Sequence, residues 1–287
     1  MTVERNDALA KLQDNLAIAT ERLSLAEEQR QLCATMLAEQ ICEEEGSAIT
    51  LFSRFCEAVN APTEITKALF CRAFVSKNQK DRSLRPEELF SLNETPPAGS
   101  HGRIAFVRNR YNERAYEHFS QIVIGAKPSF VSDFSEGCDL VYNGGVSYCI
   151  LPVESSKSGR LSSFYAMMDR YELKICATFE LDHEDAAESV RYALAGRCLP
   201  RPITGSQNCS LELSLTREDA THLTELLSAF SVLGAMPLRV DFLPLEYDHS
   251  FYRVFLTLRI SAKDAPRLGL YLSLCHPNYT PIGFYSV

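Results

Sequence analysis

The middle of the sequence carries an apolar run that ends in a polar turn: Tyr148-Cys149-Ile150-Leu151-Pro152-Val153-Glu154-Ser155-Ser156-Lys157-Ser158-Gly159. An apolar run bounded by Ser and Gly predicts a buried strand over 148–153. Around it, the pattern predicts strands over 103–107 and 173–179, a short extended stretch over 130–134, and helices over 113–122 and 162–171. Strands that alternate with helices favour an α/β layer with parallel pairing.

The residues after this layer predict a second arrangement. Alternation predicts strands over 210–215, 238–245, 252–260 and 282–287, with helices over 216–233 and 265–274 between them. The order β-α-β-β-α-β is the ferredoxin-like motif.

The N-terminal residues predict helices. Neither Gly nor Pro occurs between residues 9 and 41, where leucines recur near helical spacing. Two further helices are predicted over 48–59 and 63–77, with Thr63 as the N-cap. A helix of about 50 Å is too long to be buried at every turn, so we expect a partner helix and a homodimer.

Pro, Gly and Ser near residue 97 predict a linker. We therefore expect a multidomain α+β protein with a helical domain over 1–90, a linker over 91–102, an α/β domain over 103–205 and a ferredoxin-like domain over 206–287.

Composition and charge exclude several classes of protein. The chain has 29 Lys and Arg against 37 Asp and Glu, a net charge of −8, so nucleic acid is not an expected partner. No apolar run reaches the roughly 20 residues of a membrane span and the N-terminus is polar, so we expect no membrane contact and a cytoplasmic location. Ten cysteines without a CxxC pattern favour buried thiols over zinc, and neither a metal nor a cofactor is expected.

On these residues the central part resembles the prephenate dehydratase domain, whose corresponding stretch reads D-Y-x-V-V-P-I-E-N-[ST]-x-x-G. The three-part order is similar to that of the bifunctional chorismate mutase–prephenate dehydratase of phenylalanine biosynthesis. The resemblance implies all-α mutase-like helices, half of a periplasmic-binding-protein-like dehydratase domain and a C-terminal ferredoxin-like ACT domain. It also implies substrate-binding roles for Glu154, Ser155, Ser156 and Gly159, with a purely structural turn as an equal alternative.

The dehydratase-like part is short. Only 30 residues lie between Phe179 and Ser210, and no Thr-Arg-Phe occurs in the chain. In the family this region holds a second lobe and a returning strand that carries a Thr-Arg-Phe motif. We therefore expect the second lobe and the returning strand to be missing, and prephenate dehydration to be lost.

The other two sites implied by the resemblance are also altered. In the mutase-like helices, the family's arginines that hold the substrate dianion fall on Gln29 and Leu12, so the remaining catalytic candidates are Lys11, Arg30 and Gln79. The ACT positions that contact phenylalanine fall on four residues, Thr221, His222, Leu223 and Asp241. Thr221 stands where the family has glycine, and a lone His222 is more typical of an exposed helix histidine than of a ligand.

Three functions remain open. The favoured one is a degenerate paralogue without catalysis that acts as a regulatory or interaction protein, because all three sites are altered while the apolar patterns are intact. The alternatives are a pathway enzyme with residual mutase (isomerase) or dehydratase (lyase) activity, and an amino-acid sensor through the ACT-like domain. Expected partners are a second copy, the full-length bifunctional enzyme and a small aromatic or dicarboxylate ligand.

Overall fold

The computed structural model describes residues 2–93, 101–183, 188–203, 207–245 and 248–286. The chain divides into two compact units, Met1–Asn78 and Gln79–Val287. The first unit ends before the boundary expected at residue 90, and the segments expected as two separate domains after residue 102 lie in one unit. Within the described residues, no helix combines the length and the apolar character needed to cross a membrane.

Three helices build the first unit: α1 (Thr2–Ile41), α2 (Ala48–Val59) and α3 (Glu64–Lys77). The predicted helices are confirmed, and α1 begins earlier than predicted. The side-chain oxygens of Ser47 and Thr63 accept backbone N–H groups of the first turns of α2 and α3. These bonds satisfy donors that have no partner inside the helix, which is why both helices begin there.

The core of the first unit lies at the C-terminal end of α1. Ala38 of α1 is fully buried, as are Phe55 of α2 and Phe70 of α3, whose rings lie 5.3 Å apart. In contrast, every side chain over 11–26 is exposed. The first half of α1 therefore extends beyond the core that its second half helps to form.

Residues 79–93 are part of the second unit and do not form an extended linker. A 3₁₀ turn over Arg82–Leu84 leads into α4 (Pro86–Leu89), and the ring of the fully buried Phe90 lies 5.2 Å from that of Phe284. Leu92 is also buried, so the expected linker over 91–102 is wrong for its first residues. The Pro-Pro-Ala-Gly-Ser part of that expectation, 96–100, lies outside the described residues.

The α/β part begins with three parallel strands in the order β2-β1-β3, which confirms parallel pairing there. The helix α6 was not predicted. Its N-cap Asp133 accepts the N–H of Glu136, which stops the extended stretch predicted over 130–134. The elements are β1 (Arg103–Val107), α5 (Arg110–Ser120), β2 (Lys127–Val131), α6 (Phe134–Tyr142) and β3 (Tyr148–Ser155).

Four elements follow: β4 (Gly159–Arg160), α7 (Ser162–Arg170), β5 (Lys174–His183) and β6 (Glu188–Gly196). The strand β6 runs between β3 and β5, antiparallel to both. The expectation that no strand returns after residue 179 is therefore wrong. The small residues Ala193, Ala195 and Gly196 weaken the alternation of β6, which is why its pattern is hard to recognise in the sequence.

The last part confirms the predicted β-α-β-β-α-β order. Its strands pair antiparallel in the order β10-β7-β9-β8. A 3₁₀ turn over Asp219–His222 precedes α8, which therefore starts later than predicted. The elements are β7 (Asn208–Leu215), α8 (Leu223–Val232), β8 (Ala235–Leu245), β9 (Asp248–Ser261), α9 (Ala265–Cys275) and β10 (Thr280–Ser286).

One sheet joins the two parts of this unit in the order β2-β1-β3-β6-β5-β10-β7-β9-β8, with β4 beside β3. The junction is the parallel pair of β5 and β10, where Gly283 lies opposite Ile175. A Cβ atom on Gly283 would lie 2.5 Å from the Cβ of Ile175, so this approach requires glycine.

The sheet is strongly curled. Five strands separate β3 from β8, which in a flat sheet would place them about 29 Å apart, six spacings of about 4.8 Å. The guanidinium of Arg239 in β8 nevertheless bonds the carboxylate of Glu154 in β3. The inner face of the curl also carries apolar side chains of α6 and α7, including Cys138 and Phe164.

Candidate functional site

Charged side chains from five strands meet on the inner face of the curled sheet. Six of them form what we call the polar cluster: Glu154 (β3), Arg160 (β4), Arg191 (β6), Glu212 (β7), Arg239 and Asp241 (β8). Three cations and three anions make the cluster neutral as a whole.

Two β-bulges direct members of the cluster inward. The pairing register shifts between Pro152 and Glu154 in β3, and again between Pro237 and Arg239 in β8. One extra residue reverses the face on which every later side chain of a strand points. Glu154 therefore lies on the same face as its cross-strand neighbour Arg191. A proline inside a strand is the sequence signal for such a bulge.

Glu212 is the centre of the cluster. Its side chain is fully buried, between Leu211 and Leu213, which point to the opposite face of β7. Its carboxylate accepts hydrogen bonds from Arg191 at 3.0 Å and from the hydroxyl of Tyr285 at 2.6 Å. A third bond comes from Arg160 at 3.3 Å, so both carboxylate oxygens of Glu212 accept bonds from side chains of the chain itself.

The side chain of Arg160 is nearly as buried as that of Glu212. Its side chain is 2% exposed, and its Nε atom lies 2.6 Å from a carboxylate oxygen of Asp241. Its Nη2 atom donates to the hydroxyl of Thr257 at 2.6 Å, and its guanidinium lies 5.6 Å from the ring centre of Tyr165. The guanidinium is thus held by groups on β7, β8, β9 and α7.

The rim of the cluster is formed by Arg239, whose side chain is 39% exposed. Its guanidinium bonds the carboxylates of both Glu154 and Asp241, the latter at 3.0 Å. Glu154 also lies 3.9 Å from Arg191. Arg239 therefore links the edge strand β8 to β3 across the curl of the sheet.

The pKa shifts within the cluster follow from burial and charge. Burial lowers the pKa of Arg191, but attraction to Glu212, Tyr285, Tyr165 and Glu154 outweighs it, and the pKa is raised overall. Burial and the charge of Glu212 raise the pKa of both Tyr165 and Tyr285. Arg191 opposes the rise at both tyrosines, and Arg160 opposes it at Tyr165. Both hydroxyls therefore stay protonated: that of Tyr285 donates to Glu212, and that of Tyr165 accepts from Arg160.

The four substrate-binding residues expected from the resemblance have different surroundings. Only Glu154 belongs to the polar cluster. The Oγ of Ser155 accepts two backbone N–H groups of the following turn, at 3.1 and 3.2 Å, while Ser156 is exposed and its backbone bonds Ser189. Gly159 has a φ of +68°, which glycine adopts without strain. These contacts lie within the turn and between the turn and β6.

The four expected amino-acid-binding residues are likewise distributed over different surroundings. Asp241 belongs to the polar cluster. Thr221 donates its hydroxyl to the carbonyl of Glu218 at 2.5 Å, and the side chain of His222 is 71% exposed. Leu223 begins α8 and is half-buried. The exposure of His222 agrees with an ordinary surface histidine.

The three mutase candidates are separated along the chain. Lys11 is exposed on the free half of α1. Arg30 donates to the carbonyl of Ala61 at 2.9 Å and lies 3.9 Å from Glu27. Gln79 is exposed and is the first residue of the second unit.

The cysteines that the sequence placed in apolar stretches are buried. Cys71 is fully buried and Cys149 is 1% exposed. Over the described ranges, no group of three or more His, Cys, Asp or Glu side chains is arranged to hold a metal ion.

Comparison with known proteins shows a prephenate dehydratase-like fold. No family model matches the chain, and no curated protein matches it. Prephenate dehydratase from Streptococcus mutans is similar in structure with a TM-score of 0.52 and 17% identity, over 64% of this chain and 98% of that chain. GqqA, described as a novel type of quorum quenching acylase, is similar with a TM-score of 0.50 and 17% identity, over 64% of this chain and 95% of that one. At such identity the likeness shows the fold alone.

Proposed function

We propose that the chain is a degenerate paralogue of the bifunctional chorismate mutase–prephenate dehydratase, without dehydratase activity, and that it acts as a regulatory or interaction protein in phenylalanine biosynthesis. The prephenate dehydratase-like fold supports the relationship. The polar cluster is the observation that carries the loss of activity, because each of its arginines is paired with carboxylates of the chain itself.

An anionic substrate needs cations that are free to receive it. Arg160 and Arg191 already bond the buried Glu212, so a substrate carboxylate would have to displace a carboxylate that cannot leave the sheet. The returning strand β6 also carries Val190-Arg191-Tyr192, whereas the family's returning strand carries Thr-Arg-Phe.

In the mutase-like helices, a single chain does not bring the two candidate cations of α1 together. Lys11 and Arg30 are 19 residues apart on one continuous helix, which is about 28 Å at 1.5 Å per residue. Two side chains at that distance do not grip one small dianion within a single chain. The ferredoxin-like order of β7 to β10 supports an ACT domain, and amino-acid sensing through it is the alternative function.

Turnover of chorismate or prephenate distinguishes an inactive paralogue from a pathway enzyme. The purified full chain at about 100 µM is incubated with chorismate or prephenate, and we expect no loss of either substrate beyond the rate in buffer. Measurable loss of chorismate or prephenate would overturn the proposal in favour of a pathway enzyme.

Ligand binding tests the amino-acid sensor, and partner binding tests the regulatory role. A rise in the unfolding midpoint with phenylalanine, tyrosine or tryptophan would favour a sensor, since a ligand that binds only the native state stabilises it. For the regulatory role, we expect the tagged chain to retain the purified bifunctional enzyme of the same cell. Failure to form that complex at micromolar concentrations would contradict the role.

A further inference from the structure

Residues 82–93 form a short segment that packs on the part of the second unit built by β7 to β10 with α8 and α9. We call residues 82–93 the clasp and that part the ferredoxin-like part. The clasp consists of the 3₁₀ turn, the four-residue helix α4 and the residues that follow it. Its side chains of Leu84, Phe90 and Leu92 are buried. Apolar contacts therefore hold the clasp in place.

The clasp lies in a groove formed by α9 and the start of β10. A Cβ atom on Gly269 of α9 would lie 2.7 Å from Cδ1 and 2.9 Å from Cβ of Leu89, so α9 receives the clasp only because residue 269 has no side chain. The hydroxyl of Tyr279 donates to the carbonyl of Leu89 at 2.9 Å. The rings of Phe90 and Phe284 lie 5.2 Å apart. We call Gly269, Tyr279 and Phe284 the seat. Glycine is unfavourable inside a helix, so its presence in α9 indicates a surface shaped for an occupant.

The seat and the polar cluster lie on opposite faces of the sheet. Phe284 is the cross-strand neighbour of Leu211, which points away from the face of Glu212. The clasp also reaches the α/β part, because Asn93 forms an antiparallel bridge with Cys198 just after β6. The polar cluster thus ties the two parts of the unit together on one face, and the clasp can open on the other without breaking it.

The clasp depends on the seat for its order. A helix of four residues is far below the length at which an isolated helix is stable. The N–H of Leu92 donates to the carbonyl of Glu87 at 2.8 Å, which places Ser91 just after the helix end, where glycine is usual. Ser91 is exposed and has a φ of +56°, in the left-handed region. The bound clasp therefore carries backbone strain that its release removes.

We infer that the clasp leaves its seat by local unfolding while the rest of the second unit stays folded, and that the vacated seat binds a short segment of the same chemistry. That segment is one helical turn that ends in the pattern apolar-apolar-polar-apolar, as in Leu89-Phe90-Ser91-Leu92. In the structure the occupant is the clasp itself, so this intramolecular contact closes the groove to other segments.

Hydrogen exchange on the full chain tests the opening. The N–H groups of Leu89, Phe90 and Leu92 are bonded to carbonyls of the clasp, so their exchange measures its opening. After correction for intrinsic rates, we expect these amides to exchange at least about tenfold faster than those of β7 and β9. Equal exchange in the clasp and in β7 and β9 would mean that the clasp opens only when the whole unit unfolds, and would overturn the inference.

Two substitutions should shift the opening in opposite directions. Gly269→Ala favours α9 by helix propensity, but its Cβ displaces Leu89, so exchange in the clasp is expected to rise about tenfold. Ser91→Gly relieves the strain at an exposed position, and exchange is expected to fall about threefold. In a Leu89→Ala background, Gly269→Ala should raise exchange much less, because two of the three atoms that it meets are gone. Unchanged or slower exchange in Gly269→Ala would contradict the close contact between clasp and seat.

A fluorescent peptide of residues 82–93 tests the groove. It is titrated into the full chain with Leu89→Ala and Phe90→Ala, whose own clasp no longer fills the seat. For a Kd of about 100 µM, a tethered clasp at an effective concentration of about 1 mM weakens binding to the wild type about tenfold. The matched control is the peptide that carries the same two alanines, which is expected not to bind.

Three results would overturn the groove. These are no binding to the variant at about 1 mM peptide, equal binding to variant and wild type, and binding of the control peptide. Circular dichroism establishes that the variant is folded. The exchange experiment uses the wild type and single substitutions, so it tests the clasp even if the double variant does not fold.

Discussion

Replacing Glu212 by glutamine is expected to destabilise the second unit by about 3–5 kcal/mol, the range measured when one partner of a buried ion pair is removed. Glutamine has nearly the same shape as glutamate but carries no charge. Its NH₂ group replaces one carboxylate oxygen and would face the N–H donors of the arginines, which it cannot accept. Arg160 and Arg191 would each lose a charge-assisted bond inside the sheet, and such bonds contribute about 1.5–3 kcal/mol each. With total stabilities of about 5–15 kcal/mol, this loss is large.

Tyrosine fluorescence reports the unfolding of the second unit alone, and therefore its change in stability. All 12 tyrosines lie beyond residue 78 and the chain has no tryptophan. In urea, with a slope of about 2 kcal/mol per molar, a loss of about 4 kcal/mol moves the midpoint down by about 2 M.

The matched control is Glu113→Gln, which breaks the exposed pair with Arg108 at 3.3 Å. Exposed pairs contribute less than about 1 kcal/mol, so its midpoint is expected to move little. Equal midpoints for Glu212→Gln and Glu113→Gln would refute the view that the polar cluster is a structural network built on Glu212.

Three smaller perturbations give independent checks. Gly283→Ala is expected to destabilise the second unit by about 1–3 kcal/mol, because its Cβ would lie 2.5 Å from that of Ile175; an unchanged urea midpoint would contradict the close strand approach. At pH 8, iodoacetamide should modify the exposed Cys33 and leave Cys42 intact, since burial raises the pKa of Cys42 to about 11; peptide mass spectrometry showing equal modification would contradict this. Burial lowers the pKa of His118, so the unfolded chain takes up a proton first as the pH falls through about 6.5 and stability decreases. His118→Gln should therefore flatten the fall in urea midpoint between pH 7.5 and 5.5, and an unaltered slope would contradict a lowered pKa for the half-buried imidazole.

Local chemistry made much of the fold predictable. The caps Ser47 and Thr63 fix where α2 and α3 begin, and both starts agree with the prediction. The strand bounds of β1 also agree, because Arg103–Val107 is a short apolar run with clear turn residues on both sides. Such signals act within a few residues, so a single sequence contains them.

The polar cluster was not predictable by the same means. An alternating strand such as β7 suggests that Glu212 faces water, and only the curl of the whole sheet places it beside Arg160 and Arg191. The bulges after Pro152 and Pro237 also reverse the faces that simple alternation assigns. Of the predicted site residues, Glu154 and Asp241 are part of one network, and contacts between distant strands bring them together.

The central position of β10 has a consequence for synthesis on the ribosome. This strand, Thr280–Ser286, is the last described element, yet it completes the sheet between β5 and β7. From His183 at the end of β5 to Thr280 are 97 positions, which translation at about 5–20 residues per second needs about 5–20 s to make. During that interval the nascent chain presents the backbone N–H and C=O groups of β5 without their final neighbour, so this edge is where a chaperone would have to act.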